Sequence, residues 1–153
     1  MEKLILPTLI FPSSLIIFFV LSVPLHEFFH LFSIRVLGGR QKGENKITWF
    51  TFHFQVSKEG ISAGINGGGT VQAFFPDYLK KHLKTVAFLV GFSGGLGTAI
   101  VFIGIAFFLF FVGYLPDILD WIQASFLIVG VYHLIYGASE AMRAYNEAEL
   151  IEE

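Results

Sequence analysis

The sequence predicts an α-helical polytopic membrane protein, in which a core of three transmembrane helices carries a small antiparallel β-sheet insertion between the first and second helices. The 153-residue chain is 54% hydrophobic and 14% charged, whereas soluble domains carry about 25% charged residues. Its mean hydropathy is +0.68. Three apolar stretches each exceed the roughly 20 residues needed to cross a bilayer, and a segment of alternating character separates the first two. The length predicts a single membrane-embedded domain, residues 1–153.

The three apolar stretches give the predicted spans. The first runs over about residues 13–37, with a start at Pro12-Ser13-Ser14 and an end at Gly38-Gly39, which are typical helix boundaries. The second runs over about 78–114 and the third over about 116–143. Because the chain opens without a basic, cleavable leader pattern, the first stretch is expected to be a retained span rather than a signal peptide.

The segment at about residues 46–75 predicts the β insertion. From Phe50 to Ser57 apolar and polar residues alternate with a period of two, which is typical of a half-buried strand. Two further short strands are predicted at residues 61–65 and 70–74, after glycine-containing turns. We expect a small antiparallel sheet at the membrane face.

Charged residues predict the orientation and limit the classes of partner. Eight of the ten Lys and Arg residues lie between Arg35 and Lys84. The positive-inside rule therefore predicts a cytoplasmic β insertion and C-terminus and an external N-terminus. The net charge of −2 gives no reason to expect a nucleic-acid partner. The absence of cysteine excludes disulfides and thiolate metal ligands.

The first span contains His26-Glu27-Phe28-Phe29-His30, an H-E-x-x-H pattern. On a helix, residues four apart share a face, so both imidazoles can bind one metal ion. Glu27 then lies beside the metal and can act as a general base toward water. Zinc suits imidazole ligands. Because ionisable groups within a span are energetically costly and usually functional, the pattern predicts a metal site rather than a structural polar cluster.

The third span offers two candidates for a third metal ligand, Glu140 and His133. The two residues are seven apart and share a helix face. Measured from the predicted cytoplasmic ends of the helices, Glu140 lies nearer the surface than the motif and His133 lies deeper. Depth therefore does not decide between them. Glu140 is preferred because a carboxylate within a span otherwise has no reason to be there. His133 remains an alternative ligand, a group supporting a ligand, or a donor to the substrate.

The second span carries a glycine-rich segment, Gly91 to Ala99. Gly91 and Gly95 form a G-x-x-x-G pair, which favours close helix packing. A second interpretation is that Gly94 and Gly95 expose backbone near the metal and, together with His133, position the substrate.

An H-E-x-x-H motif in a membrane helix, followed by cytoplasmic β-structure and two further helices, resembles the site-2 protease family of intramembrane zinc metalloproteases. The resemblance covers roughly Val23 to Glu140. It implies a Zn²⁺-dependent endopeptidase that cleaves membrane-embedded peptides through activated water, with Glu27 catalytic and His26 and His30 as zinc ligands. The family's Asn-Pro…Leu-Asp-Gly motif, which supplies its third ligand, has no counterpart here, so the third ligand rests on the residues discussed above.

Two alternatives follow from the same residues. The altered third-ligand motif is compatible with a catalytically inactive, metal-binding membrane scaffold. A haem-binding membrane protein would use His133 with His26 or His30 as axial ligands, but gives Glu27 no role. The expected partners are the lipid bilayer and a membrane-protein or peptide substrate, and the sequence does not predict an oligomeric state.

Overall fold

The computed structural model describes most of the chain. It gives the backbone of residues 2–37, 40–42, 51–57, 60–66, 71–74, 81–112 and 117–152, and the side-chain surroundings of residues 8–37, 81–112 and 120–150.

Three long helices dominate the fold. They are α1 (Glu2–Val36), α2 (Leu83–Val112) and α3 (Asp117–Glu152). Each contains a stretch long and apolar enough to cross a membrane: Thr8–Val36, Leu83–Val112 and Asp120–Leu150. The three-helix membrane core that the sequence predicts is therefore confirmed.

Three helix boundaries differ from the sequence prediction. Helix α2 begins at Leu83, after the predicted start at about residue 78, because residues 81–82 form a turn. Helix α1 begins at Glu2, so Pro12-Ser13 lies inside the helix and does not start it. Membrane helices tolerate internal proline because neighbouring groups satisfy the freed backbone atoms. Helix α3 continues to Glu152, past the predicted end at residue 143, because the Glu- and Ala-rich tail consists of good helix formers.

Four short strands lie between α1 and α2. They are β1 (Arg40–Lys42), β2 (Thr51–Ser57), β3 (Gly60–Asn66) and β4 (Val71–Phe74). They form one sheet in the order β1-β4-β3-β2, and every neighbouring pair is antiparallel. Strand β1 is absent from the sequence prediction because three residues are too few to establish a period. Residues 46–50 of the predicted insertion lie outside the described residues.

The sheet lies next to α1 and α3. Cα atoms of β2 come within 8 Å of α3, and those of β3 within 8 Å of α1. Strands β1 and β2 are the two edges of the sheet. One edge strand is therefore beside a helix that carries site residues.

Helices α1 and α3 run side by side in the same direction. Polar side chains pair between them at a nearly constant separation in sequence: Ser14 with Ser125 and Ser22 with His133, both 111 positions apart, and His30 with Glu140, 110 positions apart. Pairs that advance together along both helices require a parallel arrangement, as expected when one further span separates the two.

Helix α2 packs against both neighbours through glycine. A Cβ at Gly95 would overlap the backbone of Gly137, and one at Gly91 would lie 3.0 Å from the Cα of Ala141. Such close backbone approach is typical of small residues in membrane helices. This close contact between α2 and α3 places α2 next to the polar residues on α1 and α3.

Candidate metal centre

The candidate centre is built from two polar faces within the helix core. On α1, Ser22, His26 and His30 follow one another at intervals of four residues, which places them on one helix face. On α3, His133 and Glu140 face them. All five side chains are buried. Buried polar groups need partners, and these residues supply one another's.

Three potential ligand atoms meet in a triangle. Nε2 of His26 lies 2.9 Å from Oε2 of Glu140, Nε2 of His30 lies 3.2 Å from the same oxygen, and the two Nε2 atoms are 3.0 Å apart. Ligand atoms bonded to a tetrahedral zinc at its usual bond lengths are about 3.3 Å apart. The triangle therefore fits one face of a tetrahedral coordination shell, and it includes Glu140.

The neutral form of His30 presents a lone pair, not a proton, to this triangle. Its Nδ1 lies 2.7 Å from the backbone carbonyl oxygen of Val90. A carbonyl can only accept, so Nδ1 of His30 carries the proton and Nε2 of the neutral ring does not. Nε2 then faces a carboxylate oxygen of Glu140 at 3.2 Å. Two electron pairs at this separation repel each other unless a cation lies between them.

His133 lies behind His26 and outside the triangle. Its Nδ1 is 3.2 Å from Nδ1 of His26, and its Nε2 is 2.7 Å from Oγ of Ser22. Both ring nitrogens are thus engaged away from the triangle. A histidine that binds a metal commonly has a hydrogen-bond partner on its second ring nitrogen, and His133 lies in that position relative to His26.

Two histidine pairs, His26 with His133 and His26 with His30, do not have the spacing of axial haem ligands. The ring centroids of His26 and His133 are 5.2 Å apart, and those of His26 and His30 are 4.6 Å apart. In each pair two ring nitrogens are in direct hydrogen-bonding contact. Neither pair leaves room for a macrocycle between its rings.

Glu27 is buried beside the triangle. Potential ligand atoms of His26, Glu27 and His30 lie within 4.8 Å of one another. Among the described residues, none gives Oε2 of Glu27 a hydrogen-bond partner. A buried carboxylate oxygen without a partner is energetically costly. This oxygen is therefore suited to a water molecule or a reacting group.

The two glycines predicted to position the substrate border different features. A Cβ at Gly94 would overlap the imidazole of His30 and lie 2.8 Å from Nε2 of His26. A Cβ at Gly95 would overlap the carbonyl oxygen of His133 and the backbone of Gly137. Gly94 therefore makes space for the imidazoles, whereas Gly95 makes space for α3.

Ser22, the Val90 carbonyl and Arg143 border the site but are not predicted from the sequence. Nη2 of Arg143 lies 3.6 Å from Oε1 of Glu140, so the two carboxylate oxygens have different surroundings. Ser22 could have been found, because it precedes His26 by one helical turn. The Val90 carbonyl could not, because the position of a backbone oxygen leaves no mark on residue type.

Comparisons with family models, with curated proteins and with solved structures give no match for this chain. The resemblance to the site-2 protease family therefore rests on the motif and on its position in the membrane helices.

Proposed function

We propose that this chain is a zinc-dependent intramembrane endopeptidase. One observation carries the proposal: two imidazole Nε2 atoms and a carboxylate oxygen lie within 3.2 Å of one another. A cation among them satisfies all three. Two histidines and one glutamate form a ligand set that occurs in catalytic zinc sites. His26, His30 and Glu140 are the proposed ligands.

The motif favours hydrolysis over a purely structural metal site. Zinc, when bound, supplies Lewis-acid activation of water and of a peptide carbonyl. Glu27 accepts a proton from the attacking water as the new carbon–oxygen bond forms. It then delivers that proton to the amide nitrogen as the carbon–nitrogen bond breaks. Its burial and an Oε2 that has no hydrogen-bond partner within the described part of the chain suit a group that exchanges one proton with two reactants.

The position of the site favours a membrane-embedded substrate. The site lies within helices that are apolar enough to span a bilayer. A helical substrate must unwind locally, because its carbonyl groups are already hydrogen-bonded. An edge strand of the sheet, β1 or β2, offers unpaired backbone groups that can bind such an extended segment by β-strand addition.

The first test is the zinc content of the purified chain. We expect about one zinc ion per chain in the wild type and in His133→Ala at saturating zinc, and none in Glu140→Ala, because Glu140 contributes an atom to the triangle and His133 does not. Loss of zinc in His133→Ala alone would transfer the ligand role to His133. A wild-type chain without zinc, purified without chelators, would remove the proposal.

The second test separates the peptidase from an inactive scaffold. Glu27→Gln should keep its zinc and lose cleavage of a reporter library of single transmembrane segments, because glutamine cannot accept the proton from water. Glu149→Gln is the matched control, since this change removes a carboxylate that is paired with Lys84 near the end of α3, away from Glu140 and Arg143. Zinc binding without cleavage of any reporter by the wild type would favour the scaffold.

A further inference from the structure

A chain of hydrogen bonds links the backbone of α1 to the candidate metal centre. Oγ of Ser22 lies 2.7 Å from the carbonyl oxygen of Phe19. Nε2 of His133 lies 2.7 Å from the same Oγ. Nδ1 of His133 is 3.2 Å from Nδ1 of His26, whose Nε2 is part of the triangle. Ser22, His133 and His26 are all buried, so water does not compete for these contacts.

The order of donors and acceptors along this chain fixes the proton on His26. Ser22 has one hydroxyl proton, which it donates to the Phe19 carbonyl, a group that can only accept. Its oxygen therefore accepts from Nε2–H of His133. Nδ1 of His133 is then an acceptor for Nδ1–H of His26. The Nε2 of a neutral His26 is left with a lone pair that faces the triangle.

The same groups bonded in the opposite direction would abolish the metal site. Ser22 would donate to Nε2 of His133, and Nδ1–H of His133 would donate to His26. Nε2 of His26 would then carry the proton, which the Glu140 oxygen and Nε2 of His30 would have to share. The direction of the chain thus decides whether His26 is a ligand or a donor.

We propose that His133 is a positioning residue that, held by Ser22, keeps His26 in the tautomer whose Nε2 binds the metal. The inference deepens the proposed function and depends on its metal site. It assigns His133 to neither the ligand set nor the substrate. The two hydrogen bonds of its ring are both used to orient and polarise His26, as partners of metal-bound histidines generally do.

The test compares metal affinities of the full chain in detergent. Zinc is titrated against a chromogenic chelator, and Co²⁺ is used as a spectroscopic probe of ligand number. His133→Ala should weaken zinc binding by roughly 10- to 100-fold, the usual effect of losing such a partner. Ser22→Ala should weaken binding in the same direction, because His133 loses the acceptor that fixes its tautomer.

Two variants separate positioning from structure. His133→Gln should restore affinity to within a few-fold of the wild type, since the glutamine oxygen can accept from His26 and its amide can donate to Ser22. Ser125→Ala is the matched control: it removes a buried hydroxyl that joins the same two helices through Ser14, and should leave zinc affinity unchanged. All four variants should keep the intense absorption of tetrahedral Co²⁺ at saturation.

Two results would overturn the inference while leaving the metal site in place. One is unchanged zinc affinity in His133→Ala, with wild-type helical content by circular dichroism. The other is loss of the tetrahedral Co²⁺ spectrum in His133→Ala without recovery in His133→Gln, which would make His133 a ligand. If His133→Ala does not fold, unchanged affinity in Ser22→Ala overturns the inference equally. A wild type that binds neither ion removes the proposed function, and the inference with it.

Discussion

His26 and His30 carry the same side chain, yet a different partner fixes each one. His30 donates to a backbone carbonyl on α2, whose role as an acceptor cannot change. His26 is paired with another histidine, whose role depends on Ser22. At the scale of single residues, the proposed metal site therefore depends as much on the second nitrogen of each ring as on the first.

Gly94 offers a sharp test of the room available for these rings. Gly94→Ala should abolish or strongly weaken zinc binding, because the new Cβ would overlap the His30 imidazole and crowd Nε2 of His26. Gly104→Ala is the control on the same helix, since a Cβ there has nothing within 4 Å and alanine favours helix. Equal zinc affinity in the two variants, measured by chelator competition, would contradict the close contact of α2 with the site.

The residues predicted from sequence are those whose chemical type is out of place in a span. His26, Glu27, His30 and Glu140 could be identified because charged and imidazole groups are costly in a bilayer. The role of His133 could not be separated from that of a ligand, because both roles require a buried imidazole on the same face. The contacts of His133 with Ser22 and His26, on a helix more than a hundred positions earlier, favour the proposed positioning role.

At the scale of elements, α1 and α3 present matching polar faces and α2 presents small residues. The polar pairs run from Ser14–Ser125 at one end to His30–Glu140 at the other. Gly95 and Gly137 allow α2 to approach α3 backbone to backbone. Hydropathy predicts the number of helices but not this pairing. The spacing of polar residues along each helix does not show which residues of the two helices lie at the same level.

The close packing of Gly95 against α3 predicts that a larger residue at this position lowers stability. The new side chain would not touch the proposed ligands. Gly95→Ala should lower the free energy of unfolding by about 1–3 kcal/mol, because its Cβ would overlap backbone atoms that cannot rotate away. Gly104→Ala should be neutral or slightly stabilising. Unfolding in mixed micelles with increasing denaturing detergent measures the difference, and equal midpoints for the two variants would show that the helices are not in close contact.

At the scale of the whole molecule, the proposed ligands join helices that are distant in sequence. His26 and His30 come from α1 and Glu140 from α3, which are separated by the sheet and by α2. A metal at this position would therefore hold the first and last helices together. Binding to the folded state alone stabilises that state by mass action.

Zinc should accordingly raise the thermal stability of the chain. At free zinc about 100 times the Kd, the expected gain is about 2.7 kcal/mol, or roughly 5–10 °C in Tm for a chain of this size. Glu140→Ala should show no such shift, and Glu149→Gln should show the full one. A zinc-dependent shift that persists in Glu140→Ala would mean that the stabilising ion binds elsewhere.

The orientation in the membrane is predicted from charge rather than from packing, because the three helices would pack in the same way in either orientation. Eight of ten cationic residues lie between Arg35 and Lys84, which predicts that the sheet and the end of α3 are cytoplasmic.

The chain has no cysteine, so single cysteines can report sidedness. With a membrane-impermeant maleimide, Lys81→Cys and Leu150→Cys should react only after the cytoplasmic face is exposed, whereas Asp120→Cys should react in intact cells. These positions are exposed at the ends of the helices. Reversal of all three results would invert the orientation and keep the three spans. Labelling of Asp120→Cys and Leu150→Cys from the same side would instead rule out α3 as a span, and with it a metal site inside the bilayer.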